Sequence, residues 1–161
     1  MDTIARTGLA ELGYLERELS WSVEQAAGKL PDRDLLARVR GFGEDHARHA
    51  EEIDRVLRGE ERESAHVPDD FKQAVRSLTD DLERAEEAAA VLVALVRAER
   101  RIVDFYEVPL AEQMAPEHAA ALKAQQREEQ GHVDYLEERG AITVPELIDM
   151  GDADGEGSAV P

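Results

Sequence analysis

The chain has 161 residues, enough for one domain with a real core, and contains no cysteine. Disulfides, thiolate zinc sites, iron–sulfur clusters, a cysteine nucleophile and rubredoxin-type iron are therefore excluded. A formal charge of -18, from 37 acidic against 19 basic residues, argues against nucleic acid or an anionic membrane as partner and leaves metal cations as guests.

The first 30 residues carry repeated charges and no apolar run of signal-peptide length, and nowhere do 18 apolar residues follow one another. The expectation is a soluble, cytoplasmic protein. In chain order, residues 2 to 28 read as a first helix, entered at Asp2 and closed by Gly28 before Pro31. Leu12, Leu15, Leu19, Val23 and Ala26 form its buried stripe, with Glu11 and Glu16 on the shoulders. Tyr14 and Trp21, seven residues apart on the other side, mark either an oligomer contact or ordinary surface aromatics.

A second helix starts at Pro31-Asp32 and runs to Arg58-Gly59. Its seam is Leu35, Val39, Phe42, His46, His49, Ile53 and Val56, so two histidines occupy places where a helix bundle wants apolar side chains. The polar, aperiodic segment 59–70 is long for a hairpin between neighbouring helices and suits a crossing from one end of a bundle to the other.

A third helical region is expected from Asp69-Asp70 to about Gln113, one seam running from Phe71 and Val75 through Leu92, Val96 and Val103 to Tyr106 and Leu110. Glu99 alone interrupts that seam with a charge, and Pro109 should kink the helix or end its regular bonding. Pro116 opens a fourth helix to Gly140, with Leu122, Gln126, Glu129, Val133 and Leu136 inward and His132 beside them. Residues 1–140 thus read as the folded domain. Residues 141–161 read as an acidic tail, partly disordered, whose apolar stretch Ile142 to Ile148 could dock on the bundle.

Four long helices with short first and third turns predict an all-α, antiparallel four-helix bundle with a long connection between the second and third helices. Folding the chain about residue 30 sets Glu11 opposite His49, and folding it about residue 115 sets Glu99 opposite His132. Glu129 and His132, three apart, share a helical face. Carboxylates and imidazoles buried in an apolar seam cost several kcal/mol each unless compensated. A divalent cation compensates both kinds of group together, and ligation without sulfur suits iron or manganese and can hold zinc.

At these residues the sequence resembles a known group. The run from Arg127 to Glu137 resembles the fourth helix of bacterioferritins and rubrerythrins in the ferritin-like superfamily, and Arg48 to Leu57 is similar to the residues around that family's second-helix histidine. The resemblance implies a di-iron centre held by one Glu from each of two helices and Glu-x-x-His from each of the others. Glu129 and His132 match the fourth-helix motif, Glu99 the third-helix Glu, Glu11 the first-helix Glu and His49 the second-helix His. His46 departs from the pattern: it stands where the family has a Glu that bridges the metals, which leaves Glu129 as the main candidate bridge. Glu52 and Glu18 are the fallback carboxylates.

The ligand set carried forward is Glu11, His46, His49, Glu99, Glu129 and His132, for two iron ions, with manganese or zinc as alternatives. No haem is expected, since no methionine lies near the middle of the second helix. The resemblance implies oxidation of ferrous iron or reduction of oxygen or peroxide. The alternatives are a metal-binding or storage subunit without turnover and a metal-free structural bundle. Tyr106, seven residues from Glu99, is either a hydrogen bonder to the site or a core tyrosine. A homo-oligomer is expected, a dimer through the first two helices being the simplest.

Overall fold

A computed structural model of the chain describes residues 3–59 and 66–140. These residues form five helices and, among them, no strand: α1 (Thr3–Ala27), α2 (Arg33–Gly59), α3 (Asp69–Arg84), α4 (Ala88–Leu110) and α5 (Pro116–Gly140). Most of the connection after α2, and the tail from residue 141 with its apolar stretch, lie outside the described residues. Among the described residues, no helix is long and apolar enough to cross a membrane.

Helix α1 is the centre of the packing, touching α2, α3 and α4. Its sequence provides for this with a wide apolar face: Leu9, Leu12, Leu15, Leu19 and Val23 are all essentially inaccessible. Burial stabilises side chains of this size by about 1.5–3 kcal/mol each. The helix closes with tight bonds from Lys29 N–H to the Ala26 carbonyl and from Leu30 N–H to that of Ala27. Asp32 then caps α2, its Oδ1 accepting the Leu35 N–H at 2.8 Å. The short turn makes α1 and α2 antiparallel. Gly43 lets them meet closely, because a Cβ there would sit 2.9 Å from the Ser20 carbonyl oxygen.

The expected continuous third helix is two helices. Ala85 and Glu87 adopt extended backbone, and the chain restarts as α4 at Ala88. The cause is visible in the first turn of the fold, where the Lys29 ammonium donates to the carbonyls of Leu82 at 3.1 Å, Glu83 at 2.7 Å and Ala85 at 2.9 Å. Those carbonyls belong to the end of α3, where a helix has no partners of its own, and a cation there also suits the helix dipole. The apolar spacing runs on across the break, so the sequence pattern alone gives no sign of it. Helix α4 ends at Leu110, short of Gln113, with Pro109 buried in its last turn against Gly8. A cleft of about 630 Å³ separates α3 from α4, floored by Leu15 and Leu78 and edged by Arg97 and Arg101.

Helix α5 returns antiparallel to α4, as the Arg100–Glu137 and Gln126–Val103 contacts show. Gln125, rather than the expected Gln126, is the glutamine that points inward; it is buried and Gln126 only half so. Of the aromatics on α1, Trp21 is 56% exposed and Tyr14 packs partly against the core.

Candidate metal centre

Four helices each carry a polar residue into the apolar interior at one level. On α1 it is Glu16, between Leu12 and Leu19; on α2, His46 and His49, between Phe42 and Ile53; on α4, Glu99, between Leu95 and Ile102. Helix α5 contributes Glu129 and His132, one turn apart and above Leu136. All six are buried: five have no accessible surface and His132 retains 4%. The antiparallel pairing of α1 with α2 and of α4 with α5 brings the six together, although they come from positions 16 to 132.

Glu129 is the hub. Its Oε1 lies 2.6 Å from His49 Nδ1 and 3.4 Å from His46 Nδ1, and its Oε2 lies 3.0 Å from His132 Nδ1. Glu16 stands on one side, 2.8 Å from His46 Nδ1 and 3.4 Å from His49 Nδ1. Glu99 stands on the other, 3.3 Å from both His46 Nε2 and His132 Nδ1. Two groups of four result, Glu16, His46, His49 and Glu129, and His46, Glu99, Glu129 and His132, each with one ligand atom per residue inside a 4.8 Å span. His46 and Glu129 belong to both.

The rings of His49 and His132 are held from outside. His49 Nε2 is 3.0 Å from Glu128 and His132 Nε2 is 3.2 Å from Asp45, both acids half open to solvent. Arg48 joins those two acids, reaching Asp45 at 2.9 Å and Glu128 at 2.5 Å. Phe42 stacks on His132 with ring centres 3.9 Å apart. Such outer partners fix ring orientation and direct the remaining nitrogen inward. Behind Glu16, the Tyr106 hydroxyl donates to its carboxylate, and Gln125 links that neighbourhood to the part-exposed Glu52 through a 2.7 Å bond.

The chain matches no protein-family model, no curated protein and no solved structure.

Charge in the cluster is balanced internally. Burial opposes the charged form of His46, but the carboxylates of Glu129 and Glu99 outweigh it and hold the imidazolium well above the usual histidine range. The same contest raises His49 to about 10, through hydrogen bonds to Glu129 and Glu16, and His132 to about 9, through Glu129 and Glu99. For Glu129, burial works upward, yet the charge of His46 and the bonds from all three histidines hold it well below the carboxylate range. Burial and the Glu16 charge push the Tyr106 phenol above its ordinary value, so it stays a proton donor. The three histidines and three glutamates thus hydrogen-bond one another across the cluster.

Of the six residues expected from the sequence, His46, His49, Glu99, Glu129 and His132 are brought into this cluster, and Glu11 is not. Glu11 lies on the flank of α1, half-buried, where burial and the Asp70 charge raise its carboxyl. Glu16 takes the place expected for it. The folding estimate set Glu11 level with His49, but the helices close so that Glu16 meets both histidines of α2. A sequence signal for this existed: in the buried series Leu9, Leu12, Glu16, Leu19, Val23, Ala26, Glu16 is the single charge in a stripe of threes and fours, as Glu99 is in α4. Glu18 and Glu52 stay outside both groups.

The donors suit a divalent cation on chemical grounds. Carboxylates and imidazoles without sulfur suit divalent metals of the first transition row, iron, manganese and zinc among them. The inward Nδ1 atoms of His49 and His132, each backed by an acid on Nε2, have the outer support that ligating histidines usually have.

Proposed function

We propose that the cluster holds two divalent metal ions, iron foremost, and that the chain is a ferritin-like di-iron protein that oxidises ferrous iron or reduces oxygen or peroxide. The observation that carries this reading is the pair of four-residue groups sharing His46 and Glu129, sealed among four helices. When bound, a pair of redox-active ions supplies electrons in twos, which oxygen and peroxide chemistry requires.

The chain's own residues provide the surroundings. Glu129 offers one carboxylate oxygen to each group, and His49 and His132 keep their orientation through Glu128 and Asp45. Tyr106 donates to Glu16, and Gln125 joins that region to Glu52 near the surface through the hydrogen bond its amide donates. The excess of 37 acidic over 19 basic residues favours approach of cations.

A second reading rests on the completeness of the internal hydrogen bonding. None of the cluster's side-chain nitrogen or oxygen atoms is both buried and without a partner. A metal-free bundle held by these bonds would be a structural or partner-binding element.

Elemental analysis of the metal-free protein after anaerobic loading with ferrous iron, followed by stopped-flow mixing with oxygen or peroxide, decides between them. The expected result is two irons per chain and accelerated iron oxidation. Glu129→Ala should lose both while keeping its helical circular dichroism. Uptake without accelerated oxidation would make the protein a binder or store. No uptake, with a melting temperature unmoved by iron, manganese or zinc, would favour the structural reading.

A further inference from the structure

Among the three histidines of the cluster, His46 is the exception. His49 and His132 each turn one nitrogen inward and give the other to an acid at the rim. His46 has no rim partner among its bonds, and both of its nitrogens face the interior: Nδ1 is 2.8 Å from Glu16 and Nε2 is 3.3 Å from Glu99. Its ring is wholly buried, its Nδ1 also lies 3.4 Å from Glu129, and it belongs to both ligand groups.

We propose that His46 is a bridging ligand, giving Nδ1 to a cation held by Glu16, His49 and Glu129, and Nε2 to a second held by Glu99, His132 and Glu129. This rests on the reading of the cluster as a metal site and specifies how the two ions are spaced. The lone pairs of an imidazole diverge in the ring plane at a fixed angle. A carboxylate bridges closely when both inner lone pairs bind and more widely when an outer one does, so Glu129, with one oxygen toward each group, can follow the spacing the ring sets. With metal–nitrogen bonds of about 2.0–2.1 Å, a ring between two ions sets them roughly 6 Å apart, against about 3.5–4 Å in dinuclear sites of the close type.

Charge supports the same arrangement. A bridging ring has released both of its N–H protons to solvent and carries one negative charge. With the carboxylates of Glu16, Glu99 and Glu129, that gives four negative charges against the four positive charges of two divalent ions, so the buried cluster ends neutral. A buried site gains most from such neutrality, since an uncompensated charge there costs several kcal/mol.

The test is crystallographic and independent of turnover. The protein, freed of metal, is loaded with Zn²⁺ and, anaerobically, with Fe²⁺; bound metal is counted by elemental analysis and located by anomalous scattering. The expected outcome is two ions per chain, roughly 6 Å apart, each with one His46 nitrogen at bonding distance. In His46→Glu, where a carboxylate replaces the ring, the pair should close to about 3.5–4 Å. Wild-type ions already at the shorter spacing, or a single ion with the other His46 nitrogen still on a carboxylate, would overturn the bridge and leave a metal site standing. No bound ion in either protein would overturn the metal reading together with the bridge.

Discussion

At the scale of single residues, the cluster is a competition between protons and cations for the same lone pairs. His49 is raised to about 10 and His132 to about 9, above the ordinary 6.5, by the carboxylates they face. A raised histidine stabilises the fold fully below its unfolded value and ceases to as pH climbs through the folded one. Glu129 is depressed, so its contribution is present above the ordinary 4.5 and lost as pH falls toward its folded value. In the metal-free protein the cluster therefore stabilises most between about pH 4.5 and 6.5 and progressively less through pH 9 to 10. Cations must displace the imidazole protons, so their affinity moves the opposite way. The gap in melting temperature between zinc-loaded and metal-free protein should widen from pH 6 to pH 9. A gap that narrows over that range would show that these histidines are not the ligands.

At the scale of elements, the break between α3 and α4 depends on one side chain from another hairpin. Lys29 satisfies three carbonyls at the end of α3. Replacing it by methionine keeps the apolar stem and removes the donor. Hydrogen bonds to a charged group contribute about 1.5–3 kcal/mol, so Lys29→Met should destabilise by an amount of that order. The loss should be local. Amide hydrogen exchange should speed up at the C-terminal turn of α3 while the middle of α1 and α2 keeps its protection. Equal acceleration in every helix would mean that Lys29 supports the whole fold and does not simply cap one helix.

At the scale of the molecule, the charge of -18 acts against compactness. Repulsion among surface carboxylates is screened as the Debye length falls from about 10 Å at 0.1 M salt to about 3 Å at 1 M. The melting temperature of the metal-free protein should therefore rise with sodium chloride. Surface ion pairs such as Arg17–Asp54 weaken under the same change, but exposed pairs are worth little. A melting temperature that falls with salt would mean that the pairs outweigh the repulsion.

Much of this was readable from the chain by itself. Apolar residues at intervals of three and four placed α1, α2 and α5 nearly to their ends, and the polar residues set in the seams of α2, α4 and α5 pointed to five of the six residues in the cluster. Helical periodicity is a local property, set by 3.6 residues per turn, and needs no partner to be read. The level at which two helices meet is not local. It depends on how closely backbones approach, at Gly43 for instance, and on how the turn is spent. An offset of nearly one and a half helical turns, at about 3.6 residues per turn, separated Glu11 from Glu16. The end of α3 was likewise hidden, because the cation that stops it lies more than fifty residues earlier. The two-sided position of His46 could come only from packing, since a sequence names the ring but the surrounding helices decide what each of its nitrogens faces.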